Sequence, residues 1–194
     1  MKKLILASAS PRRRELLARL TADYAIMICH DEEHSDAEAP FLRVQELAAH
    51  KARAIAAQLP AEEKAVIIGS DTLVALGHQI YGKPADADDA CRMLRELSGK
   101  THHVHTGVCL IDTETGEEDR FTVSTAVTFA ELSEEDIRRY VATGDPLDKA
   151  GAYAAQGLFS PYVEKIEGNF DAVVGLPMCE LRKHLKNHGL PGLS

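Results

Sequence analysis

Leu4-Ile5-Leu6-Ala7-Ser8-Ala9-Ser10-Pro11-Arg12-Arg13-Arg14 is the stretch on which the fold turns. Leu4 to Ala7 reads as a short buried strand. Ser10 is a good helix N-cap, and Pro11 suits the first helical position, where its missing N–H would have been unpaired anyway. A helix then runs from Arg12 to Leu20, with Leu16, Leu17 and Leu20 on its apolar face. A strand passing straight into a helix sets a pattern that the rest of the chain repeats.

Tyr24 to Cys29 reads as a second strand. Pro40 to Leu59 carries apolar residues at helical spacing (Val44, Leu47, Ala48, Ala52, Ile55), and Pro60 stops it. Val66 to Asp71 is a buried strand ending in polar residues, and it runs on to Leu76. Gly77-His78 makes a turn. A helix follows from Asp86 to Leu97, closed by Ser98-Gly99. Thr101 to Asp112 and Arg120 to Phe129 alternate in polarity around Glu114-Thr115-Gly116, which predicts a long antiparallel pair. Ser133 caps a helix reaching Thr143. Asp145 to Gly157 fits no period. Tyr162 to Ile166 is a short strand, and Pro177 to Asn187 a last helix. Alternating helices and strands with one antiparallel section predict an α/β fold with a mixed sheet, as one domain over residues 1–194.

The chain has 194 residues, 22 Lys+Arg against 30 Asp+Glu, and a formal net charge of −8. That balance and the 5% aromatic content argue against a general nucleic-acid surface, which needs basic charge and stacking platforms. Cys29, Cys91, Cys109 and Cys179 lack zinc-knuckle spacing and sit among apolar neighbours, so they read as buried thiols in a reducing compartment. The apolar start is too short for a secretory h-region, and no segment has the length of a membrane span. The expectation is a cytoplasmic protein with no membrane or nucleic-acid partner.

Three groups of residues could carry chemistry. Ser8, Ser10 and Arg12 to Arg14 surround a helix N-terminus, whose free N–H groups and dipole favour anions. Arginine holds phosphate oxygens through two parallel bonds. These residues are either a polyphosphate cradle or a capped helix with a solvated basic first turn. Asp71, in Gly69-Ser70-Asp71-Thr72, either binds a metal and takes a proton from water, or pairs with backbone N–H groups in a turn. Asp31-Glu32-Glu33 is either a solvated acidic run or part of a metal–phosphate site. Lys51 and Lys83 are isolated cations, and Lys83 is held in the constrained loop Gly82-Lys83-Pro84. His103 and His105 share a strand face and read as a satisfied or exposed pair.

In this order, Leu4 to Arg13, Asp31-Glu32-Glu33, Leu47 to Ala52, Ile68 to Thr72, Gly82-Lys83-Pro84, Met93 to Gly99, Asp148 to Gly157 and Val174 to Pro177 resemble the Maf family of nucleoside triphosphate pyrophosphatases. The resemblance spans nearly the whole chain. It implies an elongated mixed sheet flanked by helices, in a Maf- and ITPase-like architecture with a deep cleft, often found as a homodimer. It also implies a metal-dependent enzyme, using magnesium or manganese, that splits a nucleotide between its α and β phosphates.

By that likeness Asp71 activates water, and Glu33 and Asp71 hold the divalent metal cation. Ser8, Ser10, Arg13, Lys51 and Lys83 then line the phosphates, and Arg12, Thr72 and Gln156 select the base. Arg12, Thr72 and Gln156 together resemble the dTTP/UTP branch, because an amide and a hydroxyl match the mixed donor–acceptor edge of a pyrimidine. The alternatives are the 7-methyl-GTP branch and a nucleotide-binding regulator of septum formation that needs no turnover.

Overall fold

Lys3–Ala7 forms strand β1, and its Leu4 to Ala7 are all buried. The computed structural model describes residues 2–30 and 34–190, so Asp31, Glu32 and Glu33 lie outside the described residues. The expected junction follows: Ser10 accepts the N–H of Arg13, Pro11 takes the first turn, and α1 covers Pro11–Ala18. β2 is only Ala25–Met27, shorter than expected. It is an edge strand paired to β1 alone, and with one ladder to hold it Ala25 and Ile26 stay exposed.

α2 (Pro40–Ala56) buries a stripe of Val44, Ala48, Ala49, Ala52 and Ile55. β3 (Ala65–Leu76) is one unbroken strand, and a turn at Gly77, with φ 59°, returns the chain into β4 (Gln79–Tyr81). Asp86 caps α3 (Ala87–Leu97) by accepting from Asp89 N–H. β5 (Thr101–Asp112) and β6 (Glu118–Phe129) form the expected hairpin. Thr101 meets Thr128, His105 meets Ser124, and Asp112 N–H donates to Glu117 O, so the partners run in opposite directions. Ser133 caps α4 (Glu134–Val141). β7 (Val163–Glu167), the short α5 (Phe170–Val174) and α6 (Met178–Asn187) complete the described elements.

The strands make one mixed seven-stranded sheet in the order β2-β1-β3-β5-β6-β7, with β4 paired to β3. β1 is parallel to β2 and β3, whereas β3–β4 and β6–β7 are antiparallel. This is the α/β class with a mixed sheet that the alternation predicts. No described helix is long and apolar enough to cross a membrane.

The chain divides into two compact units. Unit 1 comprises Met1–Asp71, Thr106–Val123 and Gly175–Ser194. Its core is aliphatic: Ile5, Ala48, Ala52, Ile55, Ile67 and Cys109 pack together. Two glycines set the spacing there. A methyl at Gly69 would be driven into the Ala48 carbonyl and against Ala52, and one at Gly107 into the Val44 carbonyl. The backbone of α2 therefore lies directly on β3 and β5. Unit 2 comprises Thr72–His105 and Ser124–Val174. Its core is built on Tyr81, Phe129, Tyr140, Tyr153 and Phe159 with Leu94, Leu97 and Ile137. All four cysteines are free, but only Cys91 and Cys109 are buried; Cys179 is exposed on α6, against the expectation of a buried thiol.

Candidate active site

In unit 1 the chemistry-bearing residues hang from β1, α1, α2 and β3. Asp71 sits within β3 rather than at its polar end, because Leu73 to Leu76 resume the strand and β4 pairs with it there. The carboxylate is thus carried by a hydrogen-bonded ladder rather than by a turn, which fixes its position. The close approach at Gly69 brings α2 onto this strand, and Lys51 of α2 reaches across. Its Nζ lies 2.6 Å from Asp71 Oδ1 and donates to Ser70 O at 3.4 Å. Both side chains are mostly shielded, with 12% and 15% of their surface exposed. A carboxylate and an ammonium withdrawn this far from water hold each other's direction more firmly than a solvated surface pair does.

The helix start is capped and internally hydrogen-bonded. Ser8, buried, accepts from Ser10 N–H at 3.2 Å and from Arg13 Nη1 at 3.3 Å. Arg13 Nε donates to Gly175 O at 2.9 Å, and the buried Ser70 hydroxyl donates to the same carbonyl at 3.0 Å. Gly175 O therefore ties the guanidinium of Arg13 to the residue beside Asp71. Arg12 is half-buried on the first turn of α1. Of the expected residues in this unit, Ser8, Ser10, Arg13, Lys51 and Asp71 join one connected hydrogen-bond network. Glu33, expected as a metal ligand, lies outside the described residues.

In unit 2, Thr72 is half-buried at the head of its share of β3, and Lys83 is exposed just after β4. Gln156 is half-buried in the run that fitted no period, which folds as short 3₁₀ turns at Asp145–Asp148 and Ala150–Ala152. Gly151 N–H donates to Gly82 O at 3.0 Å, so the run that carries Gln156 is pinned beside Lys83. His103 and His105 stack at 5.9 Å; His103 is exposed and His105 Nδ1 meets Ser124 Oγ at 2.7 Å, in keeping with the expected satisfied or exposed pair. His102 is different: it is fully buried, its Nε2 meets Tyr153 Oη at 2.8 Å, and burial pushes its pKa down to about 4.

The family model described as Maf-like protein matches residues 3–188. The chain belongs to the Maf-like family. Among its curated relatives, a protein of Moorella thermoacetica is 47% identical over 191 residues, covering 98% of this chain and 97% of its own. One from Alkaliphilus oremlandii is 47% identical over 190 residues, covering 97% of each chain. One from Pelotomaculum thermopropionicum is 44% identical over 190 residues, covering 97% of this chain and 98% of its own. All three are named dTTP/UTP pyrophosphatase.

In this Maf-like chain the described residues contain no group of three or more His, Cys, Asp or Glu side chains placed to hold a metal ion. Asp71 still offers the hard carboxylate oxygen that magnesium and manganese take, and such ions complete their shells with phosphate oxygens and water. The donor chemistry fits a divalent ion shared with a substrate. Two features escaped the sequence reading. Gly175 O lies 105 positions from Ser70, and no local pattern marks a backbone acceptor. The His102–Tyr153 contact joins residues 51 positions apart, which no local pattern marks.

Proposed function

We propose that this chain hydrolyses dTTP and UTP to the nucleoside monophosphate and pyrophosphate. The named activity of its relatives points to that reaction. The observation that carries the reading on this chain is the shielded Lys51–Asp71 pair, linked through Ser70 and Gly175 to Arg13. A carboxylate paired with one cation, and joined by hydrogen bonds to the carbonyl that anchors a second, is suited to water attack on a polyanion.

Asp71 accepts a proton from water as the water oxygen bonds to the α phosphorus. The bond from that phosphorus to the bridging oxygen breaks, and pyrophosphate leaves with the electron pair. General-base help of this kind contributes on the order of 10²–10⁴ in rate. A triphosphate carries about four negative charges, so most of the remaining work is positioning and charge neutralisation. Lys51 orients the carboxylate, and Arg13, anchored by Gly175 O and Ser8, brings guanidinium charge to the phosphate oxygens. Ser8 and Ser10 keep the helix start in shape around that guanidinium, and Lys83 adds an exposed cation. Asp71 and Glu33 would hold a divalent cation, which supplies charge neutralisation at the phosphate oxygens.

Arg12, Thr72 and Gln156 are the proposed readers of the base. An amide and a hydroxyl satisfy the donor–acceptor edge of thymine or uracil, and an amide held in that one orientation meets the wrong pattern in cytosine. The free thiols suit the reducing cytoplasm, where we place the protein.

The test is pyrophosphate release with magnesium or manganese from dTTP, UTP, CTP, GTP and 7-methyl-GTP. Release is expected from dTTP and UTP above the others, with Asp71→Asn losing at least about a hundredfold in kcat. Normal turnover by Asp71→Asn would remove the assignment of Asp71, and preferred turnover of 7-methyl-GTP would remove the branch.

A further inference from the structure

The run from Lys149 to Gly157 is held in an unusual backbone shape. Gly151 has φ 69°, and Ala152, fully buried, has φ 58°; among the described residues it is the one non-glycine with positive φ. Two left-handed residues in succession, the second with a side chain, persist only where the surroundings over-determine them. On one side of them, the Gly151 N–H is fixed to Gly82 O, and a methyl at Gly151 would press on Val74. On the other side, two buried tyrosines take over. Tyr153 Oη meets His102 Nε2 at 2.8 Å, inside a cluster with Phe129 and Phe159. Tyr140 Oη accepts the N–H of Ala154 at 3.3 Å and donates to Asp145 Oδ2 at 2.7 Å. Asp145 is itself fixed by Lys149 Nζ at 3.0 Å, at the start of the same run.

The consequence is a closed circuit within unit 2. It leaves α4 at Tyr140, passes through Asp145 and Lys149, and closes from the Ala154 N–H back to the Tyr140 hydroxyl. Gln156 lies two residues beyond Ala154, before the open Gly157. The angle at which its amide is presented is therefore set by how Ala154 is held, and Tyr140 supplies the hydroxyl that holds it. Neither tyrosine ring needs a hydroxyl to fill the core, since Phe129 and Phe159 pack there without one.

We infer that Tyr140, oriented by Asp145, is a specificity-positioning residue: its hydroxyl fixes the backbone that presents Gln156 to the pyrimidine edge, and so sets discrimination between bases without touching the substrate. This rests on Gln156 reading the base. A residue that only supported the fold would lower activity toward all nucleotides together. A residue that aims Gln156 should change the ratio between nucleotides and leave the hydrolytic step alone.

The experiment compares kcat/KM for dTTP and dCTP in the unmodified protein and in Tyr140→Phe, Asp145→Asn, Asp145→Ala and Gln156→Ala, with thermal melting of each. Tyr140→Phe keeps the ring and is expected to melt as a folded protein. Its dTTP preference should fall roughly five- to tenfold, the worth of one neutral hydrogen bond, through KM for dTTP rather than kcat for dCTP. Asp145→Asn keeps an acceptor for the hydroxyl and should retain the preference, whereas Asp145→Ala should copy Tyr140→Phe. An unchanged ratio in Tyr140→Phe, with the ratio lost in Gln156→Ala, overturns the role of Tyr140 and leaves Gln156 as the reader. An unchanged ratio in Gln156→Ala shows that Gln156 does not read the base, and the inference falls with that reading. An equal loss on both nucleotides in a less stable Tyr140→Phe also overturns it, in favour of a purely structural hydroxyl.

Discussion

The two units hold their chemistry in different ways. Unit 1 fixes Asp71, Lys51 and Arg13 by bringing backbones together. Gly69 lets α2 rest on β3, and a single carbonyl, Gly175 O, serves both Ser70 and Arg13. Its described core cluster is aliphatic. Unit 2 fixes the run around Gln156 through side-chain hydroxyls buried in an aromatic core: Tyr153 meets His102, and Tyr140 bridges Asp145 and the Ala154 N–H. Close packing suits groups that must neutralise charge from one fixed position, because main-chain contacts give little. Buried hydroxyls suit a segment whose backbone has no regular ladder, because they satisfy its N–H groups one at a time. Unit 1 should therefore be most sensitive to added volume, and unit 2 to changes in protonation and to loss of single polar atoms.

The strongest blow to the first half of that contrast is Gly69→Ala. The new methyl meets the carbonyl of Ala48 and the backbone N of Ala52, and neither can move without shifting α2. Overpacking a core typically costs 1–3 kcal/mol, and a main-chain obstacle belongs at or above the top of that range, about 3 kcal/mol or more. Urea denaturation should show a midpoint lowered to match. Lys51 rides on the same helix, so turnover of the surviving folded fraction should fall as well. A stability within about 0.5 kcal/mol of the unmodified protein would mean that α2 does not depend on contact at this glycine.

The next effect belongs to unit 2 and reads its buried histidine. His102 is neutral in the fold because burial, helped by the charge of neighbouring His103, pushes its pKa from 6.5 to about 4. Below about pH 6.5 the unfolded chain binds a proton that the native state refuses. The stabilisation is therefore complete above that pH and is lost as the pH falls toward 4. Between about pH 7 and pH 5 the loss should be about 2 kcal/mol, since one pH unit corresponds to about 1.4 kcal/mol. His105, whose pKa is also lowered by burial, adds to the same slope. Carboxylates contribute little in this window, because they begin to protonate only near pH 4. Denaturation across that range, with His102→Gln as the comparison, is the measurement. A slope that survives the substitution unchanged would assign it to other groups.

Most of the scaffold was legible from residue pattern alone, for reasons that are local. Ser10-Pro11, Asp86 and Ser133 announce helix starts because the capping oxygen and its N–H partner lie within three residues. The β5–β6 hairpin follows from alternation on both sides of a turn. β2 is shorter than its apolar run suggests, because such a run does not reveal that a strand lies at a sheet edge. Asp145 to Gly157 was unreadable for a different reason. Its shape comes from Gly82, Tyr140 and His102, which lie outside it and, in the cases of Gly82 and His102, tens of residues away. Residue types nominated Asp71, Lys51 and Arg13, and likeness to a family gave them roles. Only the folded chain joins them, because Gly175 O, the acceptor between Arg13 and Ser70, is a main-chain atom that side-chain chemistry does not mark.

The smallest expected effect tests whether that shared acceptor makes unit 1 tolerant. Ser70→Ala removes a fully buried hydroxyl that donates to Gly175 O, yet the carbonyl keeps Arg13 Nε as its donor. No buried acceptor is orphaned, so the cost should be that of one ordinary hydrogen bond, about 1 kcal/mol. For a chain of this size that is a fall of roughly 2–4 °C in melting temperature. Removing the same kind of group from Tyr140 strips the Ala154 N–H of its acceptor, and the penalty for a buried unpaired donor is higher, about 1–3 kcal/mol. The pair of melts therefore compares the units directly: Ser70→Ala should lose less than Tyr140→Phe. If Ser70→Ala loses more, unit 1 depends on single hydroxyls as unit 2 does, and the contrast between packing and polar clamping would have to be given up in favour of one shared dependence on buried hydrogen bonds.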